Sequence, residues 1–452
     1  MNTWTRRGRI RQYIDTAPWP IPVLYVFIAC ILGVGVPWLD RLLGDSVPAQ
    51  FGVGAAQALL TAFATGLITV MGFIISVVIA GLTFSSTTIT PRIVREMQRN
   101  TTIRHVSGLL LLSVVYAFLV LNRVAPPNEP GYVPDLAVWM ITPLLVVDVA
   151  ALLMLVREMG HALRVVETID NVHRRVMRVI DAMYPEEFDP DRLDGSTHEL
   201  HAMAVRTAFH PGVVANLDVR DLVEEAARID TTFELACSIG SYVPPGGPLL
   251  FVSDAPTDLD RALVLRSITL ADERTIDQDP LYALRLLVDI ATRALSPAVN
   301  DPTTAIQALD RIEAILGVLA GRRLAVGNIT DDAGRLRLVV PMPGWEDYVA
   351  VAITEIRQYG ASSTQVTRRL RAVLDDLLAG APESRRPALT EQLELLDRAI
   401  SINFPDPVER RFAAVADRLG LGEPSASRDR TPTANVPRSD GRASIVAGIE
   451  GE

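Results

Sequence analysis

The stretch Ala55–Ala80, AAQALLTAFATGLITVMGFIISVVIA, carries no charged side chain. Because a helix needs about 20 apolar residues to cross a bilayer, this stretch predicts a membrane-spanning helix. Its small and polar side chains recur every three or four residues, which places them on one helical face that continues past Ala80. The members of this face are Thr61, Thr65, Thr69, Gly72, Ser76, Ala80, Thr83 and Thr87.

A face of this kind has two interpretations. Small residues mark positions where the backbones of neighbouring helices pack closely in lipid. Polar groups along one side of a helix also line water-filled paths. Under the second interpretation, the candidates for lining a pore are Thr61, Thr65, Thr69, Gly72, Ser76 and Thr83.

Three further apolar segments complete a predicted transmembrane domain over residues 1–157. The four spans are placed at residues 21–43, 55–83, 106–122 and 135–157. Arg-rich segments precede the first span and follow the second and the fourth, whereas the other two connections carry little positive charge. Because positive charge collects on the cytoplasmic side, both termini are expected in the cytoplasm.

Asp148 lies inside the fourth predicted span. A carboxylate at the centre of a membrane helix costs about 2.5 to 3.5 kcal/mol on insertion scales, so it is expected to face protein or water. Asp148 is therefore a seventh candidate for lining a pore, where it would handle an ion or a proton. The alternative is an acid that pairs with a neighbouring helix or with the hydroxyl-bearing face.

Composition excludes several classes of function for the remainder of the chain. After Gly160, 45 acidic residues outnumber 32 Arg, and no Lys occurs anywhere, so the basic face of a nucleic-acid-binding protein is lacking. The two cysteines, Cys30 and Cys237, have no His or Cys at ligand spacing, which argues against a disulfide scaffold or a metal site. The sequence carries no phosphate loop, nucleophile elbow or zinc-protease signature, so no catalytic residue and no cofactor is assigned.

The predicted fold class is a membrane α-helical bundle of about four helices followed by a cytoplasmic α+β domain, mostly helical with a small β module. The last span continues as a helix with a short heptad-like apolar seam, which packs either against the rest of the chain or against a second copy. The predicted regions are a helical extension at 158–184, a β-rich module at 196–254, a helical domain at 259–415 and a disordered tail at 422–452.

Three helices of the soluble part are predicted to begin with the same N-terminal capping motif. Asp279-Pro280, Asp301-Pro302 and Asp406-Pro407 each offer a carboxylate at the N-cap and a proline at the first helical position. A further helix is predicted over Arg261–Ala271 and a strand over Leu336–Val340.

Charged and amide side chains cluster in the sequence around the first two of these starts. They form either an ion-pair network or a polar pocket for a ligand, and the Asp-Pro caps alone explain part of the pattern. The members are Arg274, Asp277, Asp279, Arg293, Asn300 and Asp301.

The strings Gln278–Pro280, Arg293–Pro297 and Asn300–Pro302, together with Thr69–Ser76 in the second span, carry a resemblance. The chain resembles the bacterial predicted membrane protein family DUF2254 over roughly residues 15–415. The resemblance implies a location in the inner membrane and brings no established reaction, ligand or catalytic residue.

Two functions from different classes follow from these observations. The first is a homo-oligomeric channel or pore that conducts ions and is gated by its cytoplasmic domain. The alternative is a membrane-anchored sensor or scaffold whose cytoplasmic domain binds a small ligand or a protein partner near the polar cluster. The lipid bilayer is a partner in both.

Overall fold

The computed structural model describes residues 19–43, 51–88, 101–125, 132–162, 164–190, 203–206, 211–253 and 258–422. The Arg-rich segments at residues 6–11 and 92–99, on which the expected orientation depends, lie outside these ranges. The predicted disordered tail lies outside them from residue 423 onward.

Four apolar stretches long enough to cross a membrane open the chain. They are α1 (Pro20–Leu43), α2 (Val53–Thr88), α3 (Thr101–Leu121) and a fourth made of α4 (Asp135–Trp139) and α5 (Ile141–Ala162). The four predicted helices are confirmed, with one interruption at Met140. Because proline donates no hydrogen bond and crowds the carbonyl four residues earlier, Pro143 explains a break next to Trp139.

Helix α3 is the centre of the bundle and packs against α1, α2 and α5. In its apolar window 56% of the residues are buried, against 17% in α1 and in α2, so the other helices are arranged around it. The Tyr116 hydroxyl, buried on α3, donates a hydrogen bond to the carbonyl of Ala137 in α4 at 2.9 Å. Helices α2 and α5 touch each other at few positions, so each packs mainly on α3.

Two buried carboxylates tie the helices together at the end of the bundle where α4 lies. Asp40 of α1 accepts hydrogen bonds from the Leu136 backbone N–H at 3.0 Å and from the Tyr132 hydroxyl at 3.1 Å. Asp135 accepts one from the Phe51 backbone N–H at 3.0 Å. Because lipid offers no partner to an open N–H group, these carboxylates satisfy two helix starts that would otherwise be exposed to it.

Helix α6 (Val165–Met183) follows α5 and enters a helical domain. Its apolar seam packs inside the chain, against α9 (Pro280–Ala294) and α10 (Pro302–Ala320), which is the first of the two expected arrangements. Seam residues that are buried in this core are Ile169, Val172, Val176, Ile180 and Met183. The same core takes in α11 (Trp345–Tyr359), α12 (Thr364–Gly380), α13 (Arg386–Asn403) and α14 (Pro407–Ala413).

Two sheets and two helices form a separate module with its own apolar core. A five-stranded sheet has the order β1-β5-β3-β8-β7, in which only β3 and β8 run parallel, and a three-stranded antiparallel sheet has the order β4-β2-β6. The elements are β1 (Met203–Arg206), β2 (Gly212–Leu217), α7 (Val219–Arg228), β3 (Phe233–Leu235), β4 (Tyr242–Val243), β5 (Pro248–Val252), α8 (Arg261–Ser267), β6 (Ile268–Ala271), β7 (Asn328–Thr330) and β8 (Leu336–Val339).

The structure corrects the predicted helix over Arg261–Ala271. Helix α8 ends at Ser267, and Ile268–Ala271 forms β6, whose residues pair with β2. An apolar run this short fits either a helix or a strand, and pairing with β2 decides it. Strands β7 and β8 also belong to the five-stranded sheet, so the module includes residues that were predicted to belong to the helical domain.

The predicted strand at Leu336 and the three Asp-Pro helix starts are confirmed. Asp279 accepts from the Tyr282 N–H at 2.9 Å and Asp301 from the Thr304 N–H at 3.1 Å. Asp406 accepts from the backbone N–H groups of Val408 and Glu409.

Replacing Asp40 tests the carboxylate ties of the bundle. We expect Asp40→Ala to lower the free energy of unfolding by about 1 to 3 kcal/mol, because it leaves the partly buried Leu136 N–H without its acceptor. Tyr132→Phe removes one of the two hydrogen bonds and is expected to cost less, about 1 kcal/mol. Thermal unfolding of the purified protein in detergent measures both. Equal stability of Asp40→Ala and the parent would contradict the assignment.

Candidate functional site

Helix α2 has two opposite faces. One face is buried on α3 and includes Ala56, Leu60, Ala64, Leu67 and Ile74. At about 100° per residue, the small and polar side chains lie on the other side of the helix. We call this side the Thr face, and its members Thr61, Thr65, Thr69, Gly72, Ser76 and Thr83 are all exposed.

Hydroxyl groups of the Thr face bond to their own helix. Thr69 donates to the Thr65 carbonyl at 2.9 Å, Ser76 to the Gly72 carbonyl at 3.0 Å, and Thr83 to the Ile79 carbonyl at 2.9 Å. This pattern is the usual one for hydroxyls inside helices. It satisfies each donor, while the hydroxyl oxygen keeps acceptor capacity for water or a cation.

The structure does not bring Asp148 to the Thr face. Asp148 of α5 is 2% exposed and lines a cavity of about 510 Å³ bounded by α2, α3 and α5. From α2 this cavity is lined by Ala62, Gly66 and Leu67 among others; at about 100° per residue Gly66 and Leu67 lie away from Thr65, and the two sides of the helix meet at Ala62. The seven pore-lining candidates therefore divide into six on an outer face and one in the interior.

The polar cluster predicted around α9 also divides, because its members lie at the two ends of that helix. Arg274, Asp277 and Asp279 lie before or at the start of α9, and Arg293 lies in its last turn. At about 1.5 Å per residue, Asp279 and Arg293 are about 21 Å apart along the helix. They do not form one pocket.

At the start of α9 the polar side chains join the helical domain to the sheet module. The Arg274 Nε donates to the Gly240 carbonyl at 2.6 Å, and Asp277 forms an ion pair with Arg175 of α6 at 2.5 Å. The Gln278 amide bonds both the N–H and the carbonyl of Leu217, at 2.9 and 3.3 Å. These contacts are with neighbouring protein groups, which indicates a structural joint.

Asp279 is the buried centre of this joint. Its Oδ1 caps α9, whereas its Oδ2 has no hydrogen-bond partner among the described residues. Burial raises the pKa of Asp279, although the Tyr282 N–H and the charge of Arg274 act in the opposite direction. Gly240 has φ +85°, and a Cβ there would clash with Oδ2, so the joint requires glycine.

Two buried tyrosines lie next to Asp279. The Tyr184 and Tyr348 hydroxyls are 2.8 Å apart and their rings pack edge to face. Burial raises the pKa of Tyr184 to about 12 and that of Tyr348 well above its ordinary value, and the charge of Asp279 acts in the same direction on both. Both tyrosines are therefore neutral hydrogen-bonding groups at neutral pH.

At the other end of α9 the residues form a helix-to-helix turn. Asn300 has φ +48°, a conformation that asparagine tolerates better than most residues. The Asp301 backbone N–H donates to the Ala294 carbonyl at 2.8 Å, and its carboxylate accepts from the Thr304 hydroxyl at 2.6 Å. The turn accounts for Asn300 and Asp301 by backbone geometry and helix capping.

Sequence reasoning missed Gly240, Tyr184, Tyr348 and Ser113. Ser113 lies beside Asp148 in the bundle, and its hydroxyl is 0% exposed. Its isolation in an apolar span was a usable signal, because Asp148 has the same setting. Gly240 and the tyrosines gave no signal, since only the packing of distant segments brings them to Asp279.

The chain matches a family of known proteins. The model of the family described as "Predicted membrane protein (DUF2254)" matches residues 16–376. The chain belongs to this family. The resemblance noted from the sequence strings is therefore confirmed.

Members from mycobacteria align over nearly the whole chain. Uncharacterized proteins of Mycobacterium tuberculosis and Mycobacterium bovis are each 31% identical to this chain over 444 residues. Each alignment covers 93% of this chain and 85% of the relative. No solved structure matches this family member significantly.

Two substitutions of Asp279 distinguish the contribution of its helix cap to stability from the contribution of its buried charge. Asp279→Ala removes the cap and is expected to cost about 0.5 to 2 kcal/mol. Asp279→Asn keeps a side-chain cap and removes the buried charge, so at about pH 7 it is expected to equal or exceed the parent in stability.

The pH dependence follows from the raised pKa. The folded protein binds a proton at Asp279 more tightly than the unfolded chain does, so the stability from this group is complete below about pH 3.9 and is lost as the pH rises through the folded pKa. The advantage of Asp279→Asn in thermal unfolding curves should therefore grow as the pH rises above about 3.9, the pKa of an unperturbed aspartate. A difference that shrinks as the pH rises would contradict a raised pKa.

Proposed function

We propose that the protein is a homo-oligomeric channel of the inner membrane in which the Thr faces of several copies line a central path. The supporting observation is that the Thr face lies opposite the face of α2 that packs on α3. Other outward surfaces carry large apolar side chains suited to lipid, such as Phe27 of α1 and Leu153 of α5, at 63% and 66% exposure. Small, hydroxyl-bearing residues suit contact with another helix or with water.

The hydrogen bonds of the Thr face suit a path better than a seam held by interhelical hydrogen bonds. A seam held by interhelical hydrogen bonds needs hydroxyls that donate across the interface. Here Thr69, Ser76 and Thr83 already donate within α2. Their oxygens remain able to accept hydrogen bonds from water or to contact a cation, as the lining of a conducting path requires.

The soluble domain supplies the gate in this proposal. Helix α5 leads directly to α6, whose seam is part of the core of the helical domain, so a shift of that domain moves α5. Positive charge in the sequence before α1 and after α2 and α5 supports a cytoplasmic position for this domain. Its acidic excess at the mouth of the path favours cations over anions.

Ion flux through the purified full-length protein tests the proposal. In planar bilayers or vesicles we expect discrete cation currents from the parent and none from Thr65→Leu/Ser76→Leu, because two leucines per copy close a narrow path. The control is Gly35→Leu on α1, where an added Cβ meets no atom within 4 Å. The oligomeric state of all three proteins is checked by light scattering.

Block by cadmium distinguishes a path from a seam. In a background with Cys30→Ser and Cys237→Ser, Thr69→Cys is expected to form a ring of thiolates that binds Cd²⁺ and blocks the current. Val146→Cys, on the 65% exposed outer side of α5, is the matched control and should stay insensitive. A parent that forms stable oligomers but carries no current over a range of ions, voltages and pH would reject the channel and leave a packing seam.

A sensor or scaffold is the second candidate, favoured by one observation. A cavity of about 240 Å³ beside the joint is lined by Arg175, Arg178, Asp277 and Gln278. Its guanidinium groups suit an anionic ligand. Inorganic phosphate at about 100 times its dissociation constant would stabilise the folded protein by about 2.7 kcal/mol. An unchanged melting temperature with phosphate, or the same rise in Arg178→Gln, would remove this candidate.

A further inference from the structure

The cavity next to Asp148 has the size and the walls of a ligand site. Its volume of about 510 Å³ is within the range of about 300 to 1,000 Å³ that holds small organic molecules. The walls are apolar side chains from three helices, among them Phe63 of α2, Leu110 of α3 and Leu145 of α5. Leu59 and Leu145 are half-exposed, so the cavity opens on the outer surface of the bundle, where the bilayer lies.

Asp148 is the charged residue of this cavity. Asp148 forms no ion pair within the described part of the chain, and the polar group beside its carboxylate is the Ser113 hydroxyl. A buried carboxylate without compensation is costly in a bilayer, so the site is complementary to a group that brings positive charge.

The lining restricts the kind of cation. Calcium and magnesium take at least six oxygen ligands, and the polar side chains here are Asp148 and Thr142, with Ser113 beside them. No group of three or more His, Cys, Asp or Glu suited to a metal ion occurs among the described residues. An organic cation with an apolar body needs one carboxylate and apolar walls, which this cavity provides.

We propose that the cavity between α2, α3 and α5 binds a lipophilic organic cation, with the Asp148 carboxylate as its counter-ion and the apolar walls around its body. The ligand reaches the site from the bilayer, through the opening between α2 and α5. The site lies on a different side of α2 from the Thr face. Binding of a cation there does not require that the Thr face line a pore.

Binding of radiolabelled tetraphenylphosphonium to the full-length protein in nanodiscs of zwitterionic lipid tests the proposal, with protein-free nanodiscs as background. We expect saturable binding of one cation per chain. Asp148→Asn keeps the shape of the side chain and is expected to weaken binding by about tenfold or more, since a hydrogen-bonded or paired charge contributes at least that much. The neutral analogue triphenylphosphine oxide should compete poorly.

Two glycines of α2 supply a matched pair of variants. An added Cβ meets no atom within 4 Å at Gly66 or at Gly72, so at both positions a side chain would start in open space. Gly66 lines the cavity and Gly72 belongs to the Thr face. Gly66→Leu is expected to abolish binding of the cation, whereas Gly72→Leu is expected to leave it within about twofold of the parent.

Four results would overturn the proposal. They are no saturable binding above the background, equal affinity in the parent and in Asp148→Asn, equal competition by the neutral analogue, and loss of binding in Gly72→Leu but not in Gly66→Leu. A change of oligomeric state in Gly66→Leu with cation binding intact would also count against it, because the groove would then be a contact between copies. Folding of each variant is checked by its elution as a single species.

Discussion

The membrane part of the structure depends on one constraint, which is that every side of a helix in a bilayer must meet another helix, lipid or water in a form that suits it. Helix α3 satisfies the constraint with protein on most sides, since its neighbours are α1, α2 and α5. Helix α2 does so on one side only. Its opposite side is not covered by the described residues and carries mainly small and hydroxyl-bearing side chains, with Ile79 among them, so a second copy or water suits it.

The soluble part depends on carboxylates that bond to backbone N–H groups. Asp279, Asp301 and Asp406 begin three helices, and the first of them also lies where the sheet module meets the helical domain. Gln278 bonds both backbone groups of Leu217, at the end of β2 that β4 does not pair with. The joint therefore connects the sheet module to the start of α9. Helix α9 packs against α6, so the module is connected through α9 to the helix that follows the membrane bundle.

Local sequence signals predicted much of this architecture, and long-range packing explains what they missed. Apolar length predicted the four membrane helices, and the Asp-Pro pairs predicted three helix starts, because both depend on neighbouring residues. The strand Ile268–Ala271 depended on β2, more than fifty residues earlier, and was read as helix. The candidate site residues also divide into those that local sequence signals reveal and those that depend on long-range packing. The Thr face is periodic and was visible, whereas the cavity around Asp148 and the contact of Asp279 with Gly240 exist only after folding.

Helix α2 separates the cavity from the Thr face. Gly66 and Gly72 are six residues apart, and at about 100° per residue they point about 120° apart around the same helix. Helices α2 and α5 touch at few positions, so a molecule bound between them would add contacts where the chain itself has few. A ligand shifts a conformational equilibrium only as far as it favours one state over the other. If the separation of α2 from α5 differs between states of the bundle, a cation held by Asp148 favours the state whose cavity fits it. The position of the Thr face relative to α5 and α6 then changes with occupancy of the cavity.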